Sequence, residues 1–462
     1  MKNKNRIVFF NILSTVILQG LAFITAPIFS RVLGTDNFGI VSVYTTWCLL
    51  FSYVFSLDTA STLNVARLNF PIEEKESYQS SVLSLGAVLH LIFGAIVLIL
   101  LKPLAKLMKM HELLIVLLVV HSFGKFCLSM LNNKFTFEFQ ADKNCALSIF
   151  NTVCNMGLSL ALIYVFPEEN NYWGRVLGLV GSHVIITVFA CIFFYRKSRT
   201  LFNWKYWKFA ICLGAPIVLH SVSNLIMGQS DKVMLQHMTN DSVVGIYSLA
   251  ASFCMVIHLI WTALNNSWSP FYHEYTKNGE IETMKHHARN YIELYTVLAS
   301  GFVLLSNEVF RVFASKEYWD GLQILPLFSV GYYFVFLYSF PVNFEFFQKK
   351  TGIIAVVTAS AALVNIGLNL VFIKTMGFVG AALATCISHV FQFLFHYFSA
   401  RFIIARGEFP FRLRFFAPWL ALFLVFAVMA VLTPDLWYLR WPIGAVLGVF
   451  ELLRILKRKT IF

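Results

Sequence analysis

Charge is what this chain has least of. Only 13% of its 462 residues are charged, and acidic residues are the scarcest, 23 against 36 lysines and arginines. Soluble domains carry about 25% charged and roughly 45–50% apolar residues. This sequence is 58% hydrophobic, with a mean hydropathy of +0.71. These figures exclude a water-soluble globular protein and predict an integral membrane protein. A spanning helix needs ~20 apolar residues, so a dozen or more spans fill the chain and leave no room for a separate soluble domain.

The eight cysteines, at 48, 127, 145, 154, 191, 212, 254 and 386, lie in apolar runs and form no Cys-x-x-Cys pair. They read as packing residues rather than disulfides or metal ligands. Also missing are a nucleophile elbow, a Walker loop, a His-Glu-x-x-His and any carboxylate cluster at metal or glycosyl-transfer spacing. An ATP-driven pump therefore has no support. His286 and His287 lack partners at ligand spacing, so no metal and no cofactor is expected. A net charge of +13 would suggest nucleic acid in a soluble protein; here it reports topology, and no nucleic-acid partner is expected.

What is present is a repeat. Gly39-Ile40 returns as Gly245-Ile246, Tyr172-Trp173-Gly174 as Phe378-Val379-Gly380, and Ser182-His183-Val184 as Ser388-His389-Val390, each shifted by 206. Phe137-Glu138-Phe139 matches Phe344-Glu345-Phe346 at 207, and Asn155-Met156-Gly157-Leu158 matches Asn365-Ile366-Gly367-Leu368 at 210. Five matches in one order at nearly one offset indicate two homologous halves.

Apolar windows bounded by charge and Gly/Pro punctuation predict helices near 8–33, 39–62, 79–101, 113–135, 145–166, 173–195, 207–229, 243–266, 291–313, 322–344, 352–373, 378–398, 413–432 and 437–456. The expected fold is all-α: about 14 transmembrane helices, as two homologous six-helix lobes at 1–200 and 201–410, plus two C-terminal helices at 411–462. Lys2, Lys4 and Arg6 precede the first apolar run as in a signal peptide, but that run is long and carries Asn11 and Gln19, so it reads as a retained helix. Lysine and arginine divide 25 to 10 between the two sides, with Lys125 left inside a helix. That asymmetry predicts cytoplasmic termini. It also predicts a cytoplasmic connector at 196–208, at headgroup level, and a long cytoplasmic loop near 271–290.

An ionisable side chain at a helix centre costs about 2.5–3.5 kcal/mol on insertion scales and seldom faces lipid. Lys125 sits at the middle of the fourth predicted helix, with His121, Ser129 and Asn132 on the same face. The seventh carries His220, Asn224 and Asp231, and the eighth His258, Thr262 and Asn265. Such stripes serve either substrate or hydrogen bonding between packed helices. Arg31, Asp58, Arg175, Glu308 and Arg311 lie nearer helix ends, where reaching the headgroups is cheap. Gly174, Gly178 and Gly181, like Gly377 and Gly380, mark faces where helices approach closely.

Pro27, Ser30-Arg31-x-Leu33-Gly34 with Phe38-Gly39-Ile40, then Asp231-Lys232-Val233-Met234-Leu235 with Gly245-Ile246-Tyr247, and Trp268-Ser269-Pro270-Phe271 resemble the bacterial polysaccharide-biosynthesis flippases, the Wzx-type oligosaccharide flippase family. The likeness covers essentially the whole chain. It implies membership of the multidrug/oligosaccharidyl-lipid/polysaccharide exporter superfamily: two lobes around a central cavity in the bacterial cytoplasmic membrane. Its implied function is a flippase that turns polyprenyl-pyrophosphate-linked oligosaccharide units from the cytoplasmic to the outer leaflet for capsule, O-antigen or other surface polysaccharide. The implied partners are that lipid-linked oligosaccharide, membrane lipids, a proton or sodium as candidate coupling ion, and polysaccharide polymerase machinery.

A pyrophosphate crossing a bilayer needs sheltered cations and donors, and Lys125 is the best available cation. The candidate cavity residues are Lys125, His121, Asn132, His220, Asn224, Asp231, His258, Asn265, Arg31 and Asp58. One rival is a multidrug/cation antiporter of the same superfamily, served by Asp58 and Asp231. A second is an integral-membrane polysaccharide polymerase or acyltransferase, for which no catalytic constellation is visible; an enzyme is not expected.

Overall fold

In lipid each backbone N–H and C=O needs an internal partner, which leaves helices as the economical way for such apolar runs to span. The computed structural model describes residues 2–138, 140–405 and 409–458, with side chains at 23, 25–350 and from 352 onward. Among the described residues all regular structure is helical. Helix α1 (2–33) and α2 (35–56) run on from one another, broken only where Gly34 adopts φ 70° and ψ 176°. Then follow α3 (Lys75–Ile99), α4 (Glu112–Phe137), α5 (Ala141–Ile163), α6 (Tyr172–Lys197), α7 (Trp204–Met238) and α8 (Asp241–Asn278). Next come α9 (Ile281–Phe313) and α10 (Leu325–Phe347), and then α11 (351–376) and α12 (378–398), separated by Gly377 at φ 59°. The chain ends with α13 (Leu413–Leu432) and α14 (Trp437–Arg458). These are the fourteen expected helices of an all-α integral membrane protein.

Two expectations shift. The helix expected over 39–62 stops at Ser56, because Leu57 and Asp58 turn into the left-handed region, and a short interfacial helix, Leu63–Asn69, follows. The polar stretch 271–290 is not a loop: α8 continues to Asn278 and α9 resumes at Ile281. Its polarity is one-sided. Tyr272, Met284 and Ala288 are fully buried while the charged face is exposed, and such an amphipathic pattern sustains helix outside the apolar window.

The chain divides into two compact units, Met1–Gly245 and Ile246–Phe462. In the first, α6 lies on α5 backbone to backbone. A Cβ on Gly174 or Gly178 would come within 2.5 Å of the α5 chain at Ile163 or Ser159, which explains the glycine stripe. Helix α4 packs between α2, α3 and α6, and α7 lies against α2 and the turn after it. The core of the second unit is aromatic: Trp268, Tyr291, Tyr295, Tyr333, Phe336 and Phe340 are completely buried.

Helix α14 carries three arginines, each answered from α9. Arg440 donates to Leu304 O and Pro434 O at 2.9 Å each and pairs with Glu308, while Arg454 and Arg458 share Glu293. Paired charges of this kind let a helix too polar to qualify as a span on hydropathy join the bundle.

Inside the first unit, the repeated glycines meet. The turn opening α2 crosses the turn opening α8, so that a Cβ on Gly39 would lie 1.9 Å from Asp241 O and one on Gly245 2.0 Å from Thr35 O. Ser242 Oγ donates to Thr35 Oγ1 at 2.7 Å across the same crossing. We predict that Gly39→Ala and Gly245→Ala each destabilise the folded protein by about 1–3 kcal/mol, and that the double variant costs less than the sum because both strain one contact. Gly157→Ala, with nothing within 4 Å, is the control. Thermal unfolding in detergent measures this, and a wild-type midpoint for Gly39→Ala would sink it.

Candidate functional site

Helix α4 sets the geometry. Gly124 lets α6 approach so closely that a Cβ there would sit 2.6 Å from that of His183. This brings the His183 ring to within 4.6 Å of the His121 ring, centroid to centroid. His121 Nδ1 lies 3.2 Å from the Tyr44 hydroxyl on α2, and the two rings stack. His183 Nδ1 donates to Leu179 O at 2.9 Å. Neither imidazole Nε2 has a partner among the described residues.

Lys125 follows on the same helix. It is half-buried, and no ion pair or hydrogen bond joins it to any described residue; its charge is felt at Cys48, His121 and His183. One helix away, Arg175 is clamped by Asn155 Oδ1 and by Ser159 Oγ at 2.7 Å, and its guanidinium lies 3.7 Å from the Phe29 ring centroid. Arg175 is thus coordinated by side chains of its own unit, and Lys125 by none among the described residues.

The structure brings His121 and Lys125 together and leaves the other candidates elsewhere. Asn132 lies two turns further along α4, its Oδ1 without a partner. Asp58 is buried in the turn after α2, one carboxylate oxygen accepting from Ser61 Oγ at 2.8 Å and the other from Ser221 Oγ at 2.6 Å. Arg31 is exposed at the end of α1. On α7, His220 and Asn224 are exposed and hydrogen-bonded to each other at 3.0 Å, while Asp231 is buried. His258 and Asn265 belong to α8.

In the second unit His258 meets Trp261 edge-on at 5.0 Å and Tyr332 at 5.6 Å, and Tyr332 in turn faces His389 at 6.4 Å. A Cβ on Gly331 would lie 3.3 Å from the His389 ring and 3.4 Å from Cys386 Cα, a looser approach than that of Gly124 to the Cβ and backbone of His183. The offset of 207 that aligns Phe344-Glu345 with Phe137-Glu138 maps Gly124 onto Gly331 and Lys125 onto Tyr332. The same scaffold therefore carries a cation in one half and an aromatic phenol in the other.

Several polar groups escaped sequence reasoning. Arg175 was expected among helix-end residues, and His183 and Glu345 only as repeat markers. Glu345 is fully buried, with Oε2 2.7 Å from Nδ1 of an equally buried His396; Glu345 Oε1 and His396 Nε2 lack partners among the described residues. The available signal was recurrence itself: Glu138, its counterpart, also holds a buried cation, Lys134, at 2.7 Å.

Removing one member of a buried pair strands the other. We expect Glu345→Leu and His396→Leu singly to cost about 3–5 kcal/mol and the double variant Glu345→Leu/His396→Leu to recover most of that. Unfolding midpoints of the four proteins test the coupling; additive losses would disprove it.

Comparison with known proteins now places the chain. A family model described as polysaccharide biosynthesis protein matches residues 5–275, more than half of the sequence. Lsg locus putative protein 1 of Haemophilus influenzae is 25% identical over 271 residues, 57% of this chain and 65% of that protein, so the likeness spans just under two thirds of that relative. An uncharacterized membrane protein of the same organism is 22% identical over 361 residues, 75% of this chain and 84% of its own. Among solved structures, lipid II flippase MurJ in an inward closed conformation superposes with a TM-score of 0.73 at 17% identity, covering 98% of this chain and 99% of that one. An inward-facing MATE family multidrug resistance transporter of the MOP superfamily gives 0.63 at 15% identity, covering 85% and 95%. At such identities the structures show the fold, which this chain shares with that flippase and that transporter. The family match and the fold agree, and this chain belongs to the polysaccharide biosynthesis protein family.

Proposed function

We propose that this protein is a flippase that moves polyprenyl-pyrophosphate-linked oligosaccharide units from the cytoplasmic to the outer leaflet of a bacterial cytoplasmic membrane by alternating access. The observation that carries the reading is Lys125, a half-buried cation inside a spanning helix with no protein counter-ion among the described residues. A lysine in that position is poorly solvated until an anion arrives. Two unit charges 4 Å apart at an effective dielectric of 20 attract by about 4 kcal/mol, enough to offset much of the cost of drawing a pyrophosphate out of water.

The antiporter alternative is less well supported. Asp58 already accepts from two serines, and Asp231 is buried beside the charge of Lys232. The polymerase or acyltransferase alternative has no catalytic constellation in the sequence to support it, and the longest polar stretch, 271–290, is largely helix.

The orientation proposed, both termini cytoplasmic, rests on the 25-to-10 division of basic residues. Reporter fusions after Phe70 and after Arg199 should read cytoplasmic, and an external signal at either position refutes the orientation.

Lys125→Ala should abolish export of the glycan while the protein still inserts at normal levels. Lys125→Arg should retain part of the activity, because a guanidinium binds phosphate but needs more room. His121→Ala should have a smaller effect, since that ring is buried between Tyr44 and His183. Surface polysaccharide in a strain lacking its own flippase is the readout. Normal export by Lys125→Ala would remove the cationic mechanism's main support.

A further inference from the structure

The first unit contains a second cationic place, and it is a cavity. About 170 Å³ of space lies between the short helix Leu63–Asn69 and the ends of α3 and α4. That is room for several groups the size of a water molecule, each of which takes ~30 Å³ in the liquid. Its polar wall is Arg67, Lys75, Gln79, Lys134 and Glu138.

Lysine and arginine outnumber carboxylates on this wall three to one, and Arg67 there also donates to Phe137 O. Lys134, with 2% of its side chain exposed, donates to Gln79 Oε1 and to Glu138 Oε1 at 2.7 Å each, and Lys75 meets that same oxygen at 2.7 Å. Burial pushes the Glu138 carboxyl up, and its two ammonium partners more than offset this, holding it below the usual carboxylate range. Glu138 is thus an anion, and the one acidic side chain on a wall with three cations. The acids nearest in sequence to Lys75 serve elsewhere: Glu74 accepts from Lys205 Nζ and the Tyr206 hydroxyl, and Glu76 from Lys197 Nζ.

The rest of the wall is apolar, including Phe70 and Tyr78. The mouth is both cationic and greasy. Arg67 and Ile72 line the cavity and are exposed, Ile72 by 87%, and Leu68 beside them is 85% exposed. The connector that packs here through Tyr206 and Trp207 presents Leu201, Phe202 and Trp204 outward as well. Apolar and aromatic residues exposed next to cations belong at the membrane–water interface. A free anion would use only the cations, whereas an amphiphile would use both surfaces.

We propose that this cavity binds the phosphate ester of a membrane lipid, its phosphate oxygens taking charge-assisted hydrogen bonds from Arg67 and Lys75 and its first chain atoms lying on Ile72 and Leu68. The site is separate from Lys125 and does not depend on the export reading. The phosphate has two sources, a resident anionic phospholipid or a polyprenyl phosphate.

Native mass spectrometry of the full chain in detergent, titrated with phosphatidylglycerol, a polyprenyl phosphate or zwitterionic phosphatidylcholine, tests this without any transport assay. One anionic lipid per chain should bind about tenfold more tightly than phosphatidylcholine, and the double variant Arg67→Ala/Lys75→Ala should lose that preference. Preference for phosphatidylglycerol identifies a resident lipid, preference for the polyprenyl phosphate identifies a substrate-type lipid, and both support the site. Arg67→Gln alone leaves the Lys134–Glu138 pair in place and should weaken binding about threefold, with the unfolding midpoint measured alongside because Arg67 also donates to Phe137 O. Binding no tighter than phosphatidylcholine, or undiminished in both variants, overturns the proposal.

Discussion

The crossing of the Thr35–Gly39 turn with the Asp241–Gly245 turn constrains where α2 and α8 begin. Gly39 rests on the carbonyl of Asp241 and Gly245 on that of Thr35. A shift of 206 carries Thr35 to Asp241 and Gly39 to Gly245, so each member of the pair meets the counterpart of the other's partner. That reciprocity is the signature of a twofold relation, in which position i meets j and j meets i. Helices α2 and α8 both start from these turns, and their entry angles follow from how closely the turns approach. No residue with a Cβ allows that approach without displacing backbone, so glycine is required twice. The duplication stayed visible here because the crossing tolerates so little change.

Around this crossing, charge inside the spans is handled by local pairing. Arg440 with Glu308, Arg454 and Arg458 with Glu293, Glu345 with His396, and Lys134 with Glu138 each place opposite charges or a shared proton within one unit. Arg175 is neutralised less directly, by two oxygen acceptors and an aromatic face. Breaking such a pair leaves an uncompensated buried charge, so pairs of this kind are structural by default. Lys125 is outside the pattern. It has histidines for neighbours where the others have carboxylates.

The helices were legible because apolar length is the one thing a bilayer demands. Fourteen runs could be counted, and both internal breaks fall at glycines, Gly34 and Gly377, the only residue type at ease at the positive φ found there. Asp58 was misplaced in a helix because two left-handed residues, Leu57 and Asp58, leave no period to read. The stretch 271–290 was misread because polarity was taken for irregularity, when one buried face suffices for helix. For the candidate site the residue types were legible and their partners were not. That His121 would face Tyr44 and His183, that Asp58 would be held by Ser221, or that Glu345 would find His396 depends on which faces of α2, α4, α6, α7 and α12 touch, and spacing within one helix carries no information about its neighbour.

The sequence repeat keeps marker glycines and histidines and changes its charges. Gly124 and Gly331 each lie against a histidine-bearing helix, yet Lys125 is answered by Tyr332. Arg175, shifted by 206, becomes Ala381, and the counterpart of its clamp, Asn365, donates instead to Thr385 Oγ1 at 3.2 Å. Where the first half places cations, the second places His258, Trp261, Tyr332 and His389 in ring contact. A second unneutralised cation in a span would add its own insertion cost of about 2.5–3.5 kcal/mol. Aromatic faces and ring N–H groups, by contrast, serve a polar but uncharged moiety at little cost in desolvation. Two copies of one scaffold have in this way diverged in their side chains while keeping glycine at positions 124 and 331.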